Sequence, residues 1–296
     1  MTTNIANSIA RIQGAQLKKA VALFAKLKMN TSEAVLSVRQ GSLSITSVHG
    51  GTGLRITLPS DSIGQDDCEI DLQGLKDILG GVKGIIEIVT NGSVIIKTDS
   101  GEIILPCIPG KLTLPTVKQE TASVGSEDLQ KNLRKVLPFS ATSEGKRNLF
   151  GVLVEVQETG LRFVASDGFR LGYADTAAVV MKEESIMIPL QYAKLLQGIL
   201  KLVPEGEVSI RADKDSLKFQ GEYFELVFPR PDFDFPDYRR ILPSGFKANL
   251  EVNREELLEA VNRSLGTDKV RLTREGEVIS ITGKIGEGNL DRKSVV

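Results

Sequence analysis

The chain has 296 residues, 41% hydrophobic and 25% charged, an ordinary globular composition with room for two or more domains. Thirty-seven Lys and Arg against 38 Asp and Glu leave a net charge of −1, which excludes a uniformly basic protein but allows a basic face balanced by acids elsewhere. The single histidine, His49, excludes a two-histidine metal site, and two cysteines, Cys68 and Cys107, cannot build a disulfide framework.

Both cysteines read as small buried hydrophobes in a reducing compartment. Apolar runs such as 151–156 and 186–190 are far too short to cross a bilayer, and residues 1–11 lack a secretory pattern, so a cytoplasmic location is expected.

Residues 16–28 place apolar side chains at 17, 20, 21, 23, 24 and 27 and lysines at 18, 19, 26 and 28, which predicts an amphipathic helix with a basic exposed side. Alternating runs at 34–38, 42–48, 53–58 and 68–72 predict antiparallel strands. A short helix at 74–82 precedes strands at 85–90, 93–98 and 102–108, with Asn91-Gly92 and Ser100-Gly101 as tight turns. The order then recurs. A helix at 126–137, with Ser126 as N-cap, leads to strands at 151–157, 161–166 and 170–174. A helix at 189–202 opened by Pro189 is followed by strands at 208–212, 216–220 and 223–228. A third round opens at Phe246 with a strand, a helix at 254–264 and strands at 270–273 and 278–282.

Residues 43–58 parallel 161–174 in strand–turn–strand rhythm, and residues 69–88 parallel 187–210, including a shared Leu-Gln pair. Such self-similarity predicts an α+β fold of tandem helix–antiparallel-sheet units, two complete and a third partial, over 1–118, 119–244 and 245–290. The third unit stops after one helix and a hairpin, which would leave a sheet edge and a helix face uncovered, so the chain reads as truncated. Residues 291–296 (DRKSVV) back-translate into an adapter-like run and read as a non-native tail.

Catalytic motifs are weak throughout. HGGTG at 49–53 resembles an esterase oxyanion loop, but no Gly-x-Ser-x-Gly elbow accompanies it, and it aligns with a turn of the second unit. Asp232, Asp234 and Asp237 suit a divalent cation or a hydrolase's carboxylates, and suit a solvated linker better. Gly80, Gly81 and Gly84 lack the Lys-Ser/Thr of a phosphate loop. No cofactor, metal site or enzymatic activity is expected.

FPDYRRILP (235–243), VASDGFRL (164–171) and VNREELLEAVNRS (252–264), in register on the repeat, resemble the bacterial DNA sliding clamp family, the beta subunit of DNA polymerase III, over about residues 8–290. The resemblance implies a DNA-clamp fold whose chains close head to tail into a homodimeric ring, with helices lining the hole. It implies a processivity factor that encircles double-stranded DNA without sequence specificity and tethers the replicative polymerase. The alternative is a clamp-derived interaction module that never closes a ring.

Charge offers an independent check, since the five helical windows together carry +7 in a chain of net −1. Lys18, Lys19, Lys26, Lys131, Arg134, Lys135, Lys194 and Lys201 are the expected phosphate-facing pool, although any one of them also suits a solvated helix face. Lys146 and Arg147 join them by resemblance. The resemblance also implies a pocket for short hydrophobic peptides of polymerase, clamp loader and repair proteins, built from Leu149, Ser166, Gly168, Phe169, Arg170, Leu171, Pro236, Arg240 and Ile241. Ser166 stands where the family has threonine and Phe169 where it has histidine.

Overall fold

A computed structural model describes residues 8–27, 33–203, 206–245, 251–263, 269–276, 278–285 and 288–295. The first copy opens with β1 (Ser8–Gln13), α1 (Gly14–Ala25), β2 (Glu33–Arg39), β3 (Ser42–His49), β4 (Thr52–Pro59), β5 (Asp61–Ile63) and β6 (Asp66–Asp71). It closes with α2 (Leu72–Leu79), β7 (Ile85–Thr90), β8 (Ser93–Thr98), β9 (Gly101–Pro106) and β10 (Ile108–Pro109). The second copy repeats that order: β11 (Glu120–Gly125), α3 (Ser126–Val136), β12 (Gly151–Gln157), β13 (Gly160–Ser166), β14 (Leu171–Thr176), β15 (Val179–Val180) and β16 (Glu184–Pro189). Then come α4 (Leu190–Leu202), β17 (Glu207–Ala212), β18 (Ser216–Gly221) and β19 (Phe224–Pro229). The third copy holds α5 (Arg254–Arg263), β20 (Lys269–Glu275), β21 (Val278–Ile285) and β22 (Gly288–Val295).

Each complete copy keeps one sheet to itself, in the orders β5-β1-β7-β8-β9 and β14-β13-β12-β16, and gives half of a shared sheet. That shared sheet has ten strands, β10-β6-β2-β3-β4-β19-β18-β17-β11-β15, and its seam is the antiparallel β4–β19 pair, with Arg55 opposite Glu225 and Leu54 opposite Leu226. Alternation explains the two faces. Leu43, Ile45, Leu54, Ile56 and Leu58 point into the core, while Ser44, Arg55 and Thr57 line the opposite polar face. One apolar core runs through both copies, covered by α1, α2, α3 and α4. The chain divides into compact units between Asp237 and Tyr238. In the second unit Ala260 of α5 packs with Ile279 and Ile281 of β21.

The expected helices and most strands are present, with shifted ends. Gly125, not Ser126, occupies the N-cap of α3, and Pro189 precedes α4 as its N-cap instead of opening its first turn. The opening strands β1 and β11 escape the sequence pattern because each is short and runs straight into a helix; ETASVG in particular buries small residues, Thr121 and Ala122, without apolar alternation. The strand expected from Phe246 lies outside the described residues, as does Lys28. Residues 291–295, set aside as a tail, lie in β22, whose ladder on β21 pairs Ser280 with Val295 and Thr282 with Lys293.

The cysteines need correction. Cys68 and Cys107 are not two separate buried hydrophobes but partners in a disulfide, with Cα atoms 5.5 Å apart. Thirty-nine positions separate them in sequence, and only the return of β10 onto β6 brings them together.

Candidate nucleic-acid interface and partner-docking turn

Four helices of the first unit form a layer, with α1 against α2 and α4, and α4 also against α3. Leu17, Ala20, Val21 and Phe24 turn the apolar stripe of α1 inward, and Ala193, Leu196, Ile199 and Leu200 do the same for α4. Gly198 sits where the two helices meet: a Cβ there would lie 2.7 Å from Leu23 Cδ2. A side chain larger than a methyl group has no room in this close approach.

Outward, the same helices carry a cationic stripe. Lys19 on α1 and Lys26 at its C-cap, and Lys194 and Lys201 on α4, are each seven residues apart, a spacing that returns to within about 20° of the same helix face. Neither α1 nor α4 contains an acidic residue. Between them runs an open groove of about 680 Å³ lined by Lys19, Lys26 and Lys201 together with Gln13 and Gln16. Lysines beside neutral amides, with no carboxylate in either helix, present a phosphate-compatible surface that reads no sequence.

The remaining expected cations are distributed differently. Lys18 is anchored within the protein, its Nζ donating to the Gly80 carbonyl at 2.8 Å where α2 ends. Lys131, Arg134 and Lys135 are exposed together on one face of α3. Lys146 and Arg147 lie in the 3₁₀ turn Glu144–Leu149, away from the groove-lining residues and beside the turn at 166–171. Lys146 Nζ donates to the Asp167 carbonyl at 2.6 Å and stands 4.5 Å from the centre of the Phe169 ring. Arg147 reaches Asp232 at 3.3 Å and lies 5.3 Å from the Phe233 ring.

The 166–171 turn is tightly tied. Gly168 adopts φ +89°, a conformation that suits glycine. Ser166 Oγ donates to the Arg170 carbonyl at 2.8 Å and accepts from Gly168 N–H at 3.0 Å. Asp167 Oδ1 accepts from the backbone N–H of Phe169 and of Arg170, at 2.9 and 2.8 Å, while its Oδ2 accepts from Arg170 Nε and NH2. The Arg170 and Phe169 amides, followed by the Arg170 side chain, hold the Asp167 carboxyl well below the usual carboxylate range.

As a result Phe169 is held out into solvent, 90% exposed, while Leu149 and Leu171 are half-buried nearby and Arg170 lies 5.9 Å from the Phe139 ring. Among the expected pocket residues the structure thus gathers Leu149, Ser166, Gly168, Phe169, Arg170 and Leu171. Pro236 is exposed near the end of the first unit, and Arg240 and Ile241 belong to the second. Sequence reasoning missed Asp167 and Phe139. The Ser-Asp-Gly string is itself a turn signature that points to the first; nothing local points to Phe139, which meets Arg170 only through the fold.

No family model matches the chain. The beta sliding clamp of Pseudomonas putida strain KT2440 is 27% identical over 260 residues, covering 81% of this chain and 68% of that protein. Among solved structures, the DNA polymerase III beta subunit of Thermotoga maritima superposes with a TM-score of 0.79 at 24% identity, covering 98% of this chain and 83% of that one. The Helicobacter pylori beta clamp bound to a DNA ligase peptide superposes with a TM-score of 0.78 at 19% identity, covering 97% and 83%. Along most of its length the chain is similar to bacterial beta sliding clamps.

The motifs that suggested other chemistry have structural explanations. Gly50 and Gly51, at φ +55° and +79°, form the two-residue turn of the β3–β4 hairpin, so HGGTG is a strand connection. Asp232 is engaged by Arg147.

Proposed function

We propose that this sliding clamp encircles duplex DNA and tethers a replicative DNA polymerase as a processivity factor. It is an accessory of the polymerase, not an enzyme. The observation that carries the reading is the acid-free groove of Lys19, Lys26 and Lys201 in a chain of net charge −1. Cations so placed attract phosphates of any sequence, and because exposed charges are screened within about 8 Å at physiological salt, they let the ring slide without holding it in register. Lys194 extends the stripe, Lys131, Arg134 and Lys135 add a second cationic patch, and Lys18, Lys146 and Arg147 complete the pool.

The clamp's second surface would take short hydrophobic peptides of the polymerase, the clamp loader and repair proteins. A relative of the same fold was solved with a DNA ligase peptide. Here Leu149 and Leu171 supply apolar floor, Arg170 a polar rim and Gly168 a close backbone approach. Residues 1–118 and 119–244 act as two clamp domains and 245–290 belong to a third, whose strand β22 runs on through Val295. A cytoplasmic ring of two full-length chains joined head to tail accounts for the partner set.

Loading onto nicked circular DNA tests the proposal. A clamp stays on the circle after a salt wash and slides off when the circle is cut; an interaction module binds the partner peptide yet shows equal, salt-labile retention on circles and linear DNA.

A further inference from the structure

Cys68 lies in β6 and Cys107 between β9 and β10, both within the first copy. Their Cα separation of 5.5 Å is in the middle of the range that a disulfide spans. Little else ties this corner down. The β10–β6 ladder has two pairs, Ile108 with Glu69 and Pro109 with Cys68, and Pro109 has no N–H to give. One further backbone bond runs from Gly110 N–H to the Asp67 carbonyl at 3.3 Å. The corner ends β9, the edge strand of the five-stranded sheet, where Ile104 and Ile108 are 65% and 62% exposed.

Beside the bond, Cys68 Sγ lies 3.7 Å from Asp66 Oδ2 and Cys107 Sγ lies 3.9 Å from the Ile108 carbonyl oxygen. Cys68 is buried, whereas Cys107 is half-buried and so is the more accessible residue of the pair. Accessible disulfides are the labile ones, which favours a reversible bond over a permanent one.

We propose that Cys68 and Cys107 form a redox modification site, a dithiol that low-molecular-weight disulfides of the glutathione type oxidise reversibly, stapling the β9–β10 corner to β6. The Cys107 thiolate attacks one sulfur of the small disulfide, forming a mixed disulfide and releasing one small thiolate. Cys68 then loses its proton and attacks Cys107 Sγ, closing the intramolecular bond and releasing the second. Two protein thiols are oxidised, one small disulfide is reduced to two thiols, and two protons leave the protein.

The full chain is incubated with glutathione disulfide or with dithiothreitol and compared. Oxidation is expected to lower the intact mass by two hydrogen atoms and to yield one linked pair of peptides carrying Cys68 and Cys107, both reversed by dithiothreitol. Amide exchange over residues 106–110 should slow about tenfold on oxidation while the β12–β13 hairpin is unchanged. In a C68S variant Cys107 should accumulate as a stable glutathione adduct, which identifies it as the entry sulfur even where loss of the bond leaves folding intact. Full alkylation of both wild-type thiols after glutathione disulfide treatment, a lasting glutathione adduct on wild-type Cys107, or unchanged exchange at 106–110 would overturn the proposal.

Discussion

Asp167 shows how one side chain can set a surface. Four hydrogen bonds converge on its carboxylate, two from backbone amides and two from the Arg170 guanidinium, and together they hold Phe169 in solvent. All four donors favour the charged form, so the folded pKa is depressed. The contribution of Asp167 to the turn is therefore complete above its unfolded value of about 3.9 and is lost as pH falls through the lower folded value. NMR of the Phe169 and Arg170 amides should show a transition well below pH ~3.9, and D167N should abolish it. A midpoint at the ordinary aspartate value would mean that the four bonds are not made in solution.

At the scale of elements, two contacts decide how the copies assemble. The α1–α4 crossing depends on Gly198, whose missing Cβ makes room for Leu23. In G198A the helix-propensity gain of about 1 kcal/mol opposes the contact with the end of the Leu23 side chain, which has freedom to swing aside. Stability should change little. G198L has no such escape and should lose about 1–3 kcal/mol by overpacking, measured as a lower urea midpoint at unchanged slope.

The β4–β19 seam is tied by Glu225, which accepts from Arg55 NH1 at 2.7 Å and from Lys218 Nζ at 2.5 Å. The Lys218 side chain is only 12% exposed, so removing its acid leaves an ammonium with little water. E225A should cost about 2 kcal/mol in the same urea titration, because the loss includes the desolvation of the stranded partner. Since Glu225 and Arg55 join strands from different copies, unequal losses in the unfolding of the two copies would contradict their sharing one cooperative sheet.

Across the whole molecule the basic groove matters through its sum. Each phosphate neutralised contributes about 0.9 to the slope of log affinity against log salt. Replacing Lys19, Lys26 and Lys201 together by glutamine should flatten the salt dependence of duplex binding by about 2 to 3, equally for all DNA sequences. An unaltered slope would place the phosphate contacts elsewhere, such as the α3 patch of Lys131, Arg134 and Lys135. Shared-core packing sets the background for such variants: all three lysines are exposed, so loss of DNA binding should come without loss of folding.

Local chemistry is written in local sequence. The periodicity of residues 16–28 suffices for α1 and its lysines, alternation locates β3 and β4, and the repeated strand–helix order marks tandem copies. Small-residue strands such as β11 stayed hidden because their burial comes from neighbours and not from their own apolarity. Contacts between distant residues were decided only in three dimensions. Seven-residue spacing placed Lys19 with Lys26 and Lys194 with Lys201, but the groove between them exists because Gly198 lets α1 and α4 meet. Cys68 met Cys107, and Arg55 met Glu225, through strand pairings that no run of residues encodes by itself. Periodicity reports which face of an element is apolar; which other element covers that face depends on packing the whole chain at once.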